Sequence, residues 1–107
     1  MKVTGAHLNE LIKFADEGPV KNVFYDRGPI KAQVMCLKAG QVIPPCQMSN
    51  DVLFFVIKGV GEIRVDDECV GLQETVSVIV PKEAGSRSIS AQTDLVILAV
   101  QAKSAEK

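Results

Sequence analysis

From residue 20 onward the chain is a succession of short runs rich in Val, Ile and Phe, separated by turn residues. The runs cover residues 20–25, 30–38, 52–58, 61–65, 68–72, 75–80, 87–91 and 94–101. Between them stand Asp26-Arg27-Gly28-Pro29, Ala39-Gly40, Pro44-Pro45, Gly59, Asp66-Asp67, Pro81 and Gly85. Such residues supply the special dihedrals of turns or remove a backbone donor. Connections this short leave no room for the crossover helices that a parallel sheet requires. A doubly wound α/β fold is thereby excluded, and an antiparallel barrel or sandwich is predicted. Asp66-Asp67 reads as a hairpin turn, because acidic side chains bond local backbone and tolerate turn geometry. Helical spacing occurs only over residues 7–17, where Leu8, Leu11, Ile12 and Ala15 share a face before Gly18-Pro19. A short helix or an irregular arm is predicted there. The polar residues 103–107 are expected to fray.

A chain of 107 residues makes one domain, here 1–107 with a barrel core over 20–102. At this size folding buries about 65% of the extended chain's surface, enough for a real core. Hydrophobic residues make up 47% and charged residues 23%, with twelve Lys and Arg against thirteen Asp and Glu. Without a basic stripe, and with one Tyr and no Trp, neither phosphate binding nor base stacking is supported, so no nucleic acid partner is expected. No apolar stretch approaches the roughly 18 residues that span a bilayer, and Asn9, Glu10 and Lys13 interrupt any signal-like segment. A cytoplasmic protein with no membrane partner is expected. Cys36, Cys46 and Cys69 form neither a disulfide framework nor a Cys-x-x-Cys knuckle.

Residues 52–57 and 95–100 are apolar on both faces of their strands, whereas a strand with one wet face alternates. One set fills the barrel. Burying three side chains of the other set is worth roughly 5 kcal/mol, too much to leave in water. A homodimer seam is the expected cover, and residues 1–25 are the alternative.

The frame of residues 40–59 and 75–90 resembles the cupins, a family of small β-barrels. Their first motif runs Gly, five residues, His-x-His, three or four residues, Glu, six residues, Gly. Gly40 and Gly59 keep that frame, the two histidine positions fall on Cys46 and Met48, and the glutamate position falls on Val52. The second motif, Gly, five residues, Pro-x-Gly, two residues, His, three residues, Asn, is anchored by Pro81. Its glycines fall on Thr75 and Glu83, its histidine on Ser86 and its asparagine on Ser90. The resemblance implies an all-β, cupin-like antiparallel β-barrel of the double-stranded β-helix or jelly-roll type, with a short N-terminal arm or helix. In the family, three imidazoles and a carboxylate hold Fe, Mn, Ni, Zn or Cu. All four positions are changed here, so metal-dependent oxygenase or isomerase chemistry is not carried over. No cofactor is expected, with Cu(I) on the sulfurs of Cys46 and Met48 as the exception.

The candidate pocket consists of Cys46, Met48, Val52, Phe54, Ser86 and Ser88. Cys46 and Met48, two apart in a strand, point to one side, which the family frame makes the interior. They are read as packing or the wall of an apolar pocket. The alternatives are a soft metal site or a reactive thiol, and a thiol needs a neighbour that lowers its pKa. His7, the only histidine, lies in the arm and is read as a surface residue. Ser86, Ser88 and Ser90 share a face and, if inward, bond a ligand or each other. Arg87 and Ile89 take the opposite face, with Arg87 expected in solvent and an anion as its alternative partner. Cys36 and Cys69 are expected to pack in the core or on a sheet face.

The chemistry therefore points to a metal-free small-molecule-binding or regulatory protein with a small apolar or weakly polar ligand. A small cupin enzyme with an unusual, sulfur-containing site is the first alternative, and a structural protein–protein module the second. Fold alone does not choose among them, but an open or a filled barrel does.

Overall fold

The computed structural model describes residues 3–103, so the tail 104–107 lies outside the described residues. Nine strands follow one turn of 3-10 helix at Leu8–Leu11: β1 Val20–Arg27, β2 Ile30–Leu37, β3 Val42–Cys46, β4 Asp51–Lys58, β5 Gly61–Val65, β6 Glu68–Leu72, β7 Ser77–Val80, β8 Arg87–Ala91 and β9 Leu95–Ala102. They form a five-stranded sheet ordered β1-β2-β9-β4-β7 and a four-stranded sheet ordered β3-β8-β5-β6. Every pairing between strands is antiparallel. The predicted all-β architecture is the observed one.

The strand missing from the sequence reading is β3, which contains Pro44-Pro45. Its position explains how two prolines fit. β3 is an edge strand whose register breaks between Ile43 and Cys46, and an edge or a bulge is where a residue without N–H does least harm. Asp66 turns the β5–β6 hairpin with φ +51°, as the Asp66-Asp67 reading required. Its carboxylate also accepts hydrogen bonds from the N–H groups of Gly85 (3.1 Å) and Ser86 (2.9 Å), so the hairpin holds the loop that enters β8.

The core lies between the sheets, and register sorts it into layers. Leu37 lies opposite Leu95, and Met35 opposite Ile97, which pairs onward with Val56. In the other sheet Ala91, Gly61 and Leu72 line up, then Ile89, Ile63 and Val70. Leu37, Val56, Ile63, Leu72, Ile89, Leu95 and Ile97 are all essentially inaccessible to water. Gly61 is required at this end: a Cβ there would run into the Ser90 carbonyl and the Leu95 side chain, so the sheets close on its bare backbone. Gly59, at φ +99°, would similarly strike the Asp94 carbonyl.

The arm is irregular, not a helix over residues 7–17. Its carbonyls are claimed by side chains from β1 and from the turn before β3: Asn22 Nδ2 donates to the Leu11 carbonyl (3.3 Å) and Gln41 Nε2 to that of Ala15 (2.7 Å). In an α-helix the Ala15 carbonyl would need the N–H of Pro19, which does not exist. Lys38 pairs with Asp16 and fixes the arm's far end. Leu8, Leu11 and Ile12 thereby pack, with Phe24 and Ile57, over the buried outer-face residues Val34, Cys36 and Val96. The arm, the alternative to a second subunit, thus covers the β2–β9 half of the outer face. Leu53 and Ile79, a cross-strand pair on β4 and β7, stay 36% and 69% exposed.

Candidate functional site

At the end opposite Gly61 the barrel opens. A cavity of about 250 Å³ is lined by Lys21, Lys31, Gln33, Met35, Ile43, Cys46, Met48, Val52, Phe54, Arg87, Ala99 and Gln101. Antiparallel register builds it. Lys31, Gln101 and Val52 stand opposite one another in the outermost inward-facing row of the larger sheet, with Gln33, Ala99 and Phe54 in the next. From the smaller sheet Cys46 and Arg87 face each other across β3 and β8. Asn50 Nδ2 donates to Gln101 Oε1 at 3.3 Å and orients that amide at the rim.

Four of the six expected pocket residues are here: Cys46, Met48, Val52 and Phe54. Met48 follows β3 instead of lying within it, so loop geometry and not strand alternation brings it to the cavity wall. Ser86 and Ser88 are not in the cavity, which corrects the sequence reading. Ser86 belongs to the loop clamped by Asp66: its N–H donates to that carboxylate, and its carbonyl accepts from the Asp66 N–H at 3.0 Å. β8 alternates buried and half-buried with Arg87, Ile89 and Ala91 inward, so Ser88 and Ser90 lie on the other face. A shift of one residue turns a whole strand over. The buried side chains Ile89 and Ala91 are the signal that fixes the parity, and that parity carries Arg87 inside.

Arg87 is the residue the sequence reading placed in solvent, and the structure buries it to 9% exposure. Its guanidinium carbon sits 5.1 Å from the centre of the Phe54 ring, a cation–π contact worth about 0.5–2 kcal/mol. Its Nε has no hydrogen-bond partner. Burial pushes its pKa below the ordinary arginine value, opposed by Cys46 across the ladder. A charge taken out of water without a counter-charge costs several kcal/mol. No Asp or Glu lines the cavity to offset it.

The other chemically active residues lie elsewhere. His7 is largely exposed, 3.6 Å from Glu10 in the arm. Cys36 is buried under that arm, and burial raises its thiol pKa. Cys69 is exposed, not packed on a sheet face, and hydrogen bonding with Glu62 raises its thiol pKa. A family-type metal does not fit the mouth. Val52 is a buried hydrocarbon, Ser86 is outside the cavity, and among the described residues no three His, Cys, Asp or Glu side chains come together as metal ligands. Met35 does add a third sulfur beside Cys46 and Met48, but Arg87, Lys21 and Lys31 line the same cavity and repel a cation.

No protein-family model matches the sequence, and no curated protein matches it significantly. Solved structures match throughout. An RmlC-like cupin protein of Desulfovibrio desulfuricans is 22% identical over 94% of this chain and 97% of its own, with a TM-score of 0.85. A cupin superfamily protein of Desulfitobacterium hafniense is 14% identical over 97% and 94%, with a TM-score of 0.83. A salicylate 1,2-dioxygenase mutant from Pseudoaminobacter salicylatoxidans matches at 17% identity and TM-score 0.75, over 88% of this chain but 29% of the enzyme. The chain has the cupin fold, a small RmlC-like double-stranded β-helix. No helix among the described residues is long and apolar enough to cross a membrane.

Proposed function

We propose that this cupin-fold chain is a small-molecule-binding protein whose ligand occupies the mouth cavity without a resident metal. One observation carries the reading: the barrel is packed at the Gly61 end and open over about 250 Å³ at the other, where apolar walls meet a few polar groups. Ligand sites have this form. A purely structural module would gain more from filling the space, since close packing is where core stability comes from. The sulfur-enzyme reading rests on Cys46, and no histidine, aspartate or glutamate lines the cavity to serve as its base. Dioxygenase chemistry is not taken from the neighbour of that name, because the mouth lacks the donors for a metal.

The exposed, unpaired thiols of Cys46 and Cys69 suit a reducing compartment, so we place the protein in the cytoplasm. For its assembly we propose a homodimer over the strip where Leu53 lies between Val100 and Ile79. Sedimentation at micromolar concentration should give twice the 11.5 kDa of one chain. A single-chain mass throughout overturns the dimer.

Native mass spectrometry with elemental analysis, on untagged protein, tests the ligand reading. A retained small molecule, or a fragment that raises the melting temperature and perturbs Val52 and Phe54 amides, supports it. Stoichiometric first-row metal with Cys46 and Met48 as ligands contradicts it, as does a cavity that no fragment perturbs.

A further inference from the structure

Resting on that ligand-site reading, we propose that the cavity recognises a small organic monoanion, a carboxylate on a compact apolar body, with Arg87 receiving the carboxylate. Arg87 is nine-tenths buried, its Nε is unbonded, and none of the ion pairs among the described residues involves it. A guanidinium is planar, with all its donors in the plane and none on the faces. The Phe54 ring lies 5.1 Å from the guanidinium carbon and offers no acceptor atom, so it leaves the N–H donors to a ligand. An edge of two parallel N–H groups is the fork that matches a carboxylate.

The surroundings narrow the class further. Lys21 and Lys31 line the same cavity and no acid does, so its field favours an anion and disfavours a zwitterion or a cation. Asp26, opposite Lys31 in the ladder, is already engaged by Lys103 at 2.6 Å. The remaining wall is hydrocarbon and thioether, including Met35, Val52 and Ala99. A bare phosphate or sulfate would leave that wall wet, whereas an apolar body on the carboxylate covers it. The volume of about 250 Å³ lies below the usual range for drug-sized ligands, about 300–1,000 Å³. The ligand is accordingly of metabolite size.

Titration of the labelled full chain by ¹H–¹⁵N NMR with benzoate, its neutral analogue benzamide and inorganic phosphate tests this. Benzoate should bind at least about tenfold more tightly than benzamide, the factor one charge-assisted pair supplies. It should shift the Arg87 Nε–H signal and the amides of Cys46 and Phe54. In Arg87→Gln that preference should shrink by at least about fivefold, Lys21 and Lys31 supplying what remains of it. Equal binding of benzoate and benzamide to the unaltered protein overturns the anion inference while leaving the cavity as a ligand site. An undiminished preference for benzoate in folded Arg87→Gln overturns the role of Arg87. Phosphate binding as tightly as benzoate overturns the apolar body. If none of the probes perturbs the cavity at millimolar concentration, the inference and the ligand-site reading fail together. The benzoate–benzamide comparison needs no variant, so poor folding of Arg87→Gln does not remove the test.

Discussion

Followed inward from its first turn, β2 presents Lys31, Gln33, Met35 and Leu37 to the interior, and β9, running the other way, presents Leu95, Ile97, Ala99 and Gln101. β8 makes the same passage in three steps, Arg87, Ile89 and Ala91. β2 and β9 therefore span two environments within about 20 Å of chain, and β8 within about 13 Å. At the Gly61 end large aliphatic side chains interlock with no access to water, and the sheets approach as closely as backbone permits. At the mouth the same ladders carry a guanidinium, two amides and two lysines around unfilled space. The hydrogen-bonded frame is common to both ends, so the difference is one of side chains alone. Stability is concentrated at one end, which frees the other to hold polar and charged groups around open space.

The sharpest way to break this comparison is to truncate one residue at each end. Leu37→Ala should lose about 2–5 kcal/mol, the cost of a closed cavity in a packed core. Met48→Ala should lose less than about 1 kcal/mol, because the mouth is already open and no new closed cavity forms. Urea unfolding with unchanged m-values makes the comparison. Equal losses at the two ends would mean that the mouth is packed.

A second substitution probes how wet the mouth is. Cys46 is exposed and Met48 half-exposed, so the Cys46→His, Met48→His pair should shift stability by less than about 1 kcal/mol, the imidazoles remaining hydrated. Had both side chains been buried, each unsatisfied nitrogen would cost about 1–3 kcal/mol. A loss of that size in thermal melts would contradict the open mouth.

How far these two ends were legible in the sequence differs. The closed end was, because alternating Val, Ile, Leu and Phe with short polar turns admit few alternatives to stacked antiparallel sheets. Cys46, Met48, Val52 and Phe54 line the mouth cavity, and it was the cupin resemblance over the Gly40–Gly59 frame that singled them out. The rest of the mouth was not. Counting forward from Pro81 put Ser86 on the inward phase, but the 81–86 loop folds back through the Ala84 N–H to Pro81 carbonyl bond, and the strand begins at Arg87. Ile89 and Ala91 held the correct parity. Lys31 and Gln33 precede Met35 at inward positions of β2, a polar start that a composition-based reading treats as solvent-facing. The arm's irregular path depended on Asn22 and Gln41, which are close to Leu11 and Ala15 only after folding.

The arm offers a smaller, pH-dependent contrast between the outer face and the mouth. Lys38 beside Asp16 holds that carboxyl below its ordinary value of 3.8. A lowered folded value means that the pairing contributes fully above the unfolded pKa of about 3.9 and is lost as pH falls through the folded one. Below about pH 4 the protection of amides under the arm, at Val34 and Cys36, taken against the intrinsic exchange rate at each pH, should fall before that of Ile97. Asp16→Asn should remove the pH dependence of that difference. An unchanged profile in the variant would show that Lys38 does not hold the arm through this pair.

The central claim is that Arg87 serves binding and not the stability of the barrel, and chemical denaturation of Arg87→Met without ligand tests it most directly. Methionine keeps much of the hydrophobic volume and the contact with Phe54 but removes the buried charge. Replacing buried charge with apolar side chains is often neutral or stabilising by about 1–4 kcal/mol. The unfolding free energy of Arg87→Met is expected to equal that of the unaltered chain or to exceed it by about 1 kcal/mol. A loss of more than about 2 kcal/mol, at unchanged m-value, would make Arg87 a structural residue and contradict the account.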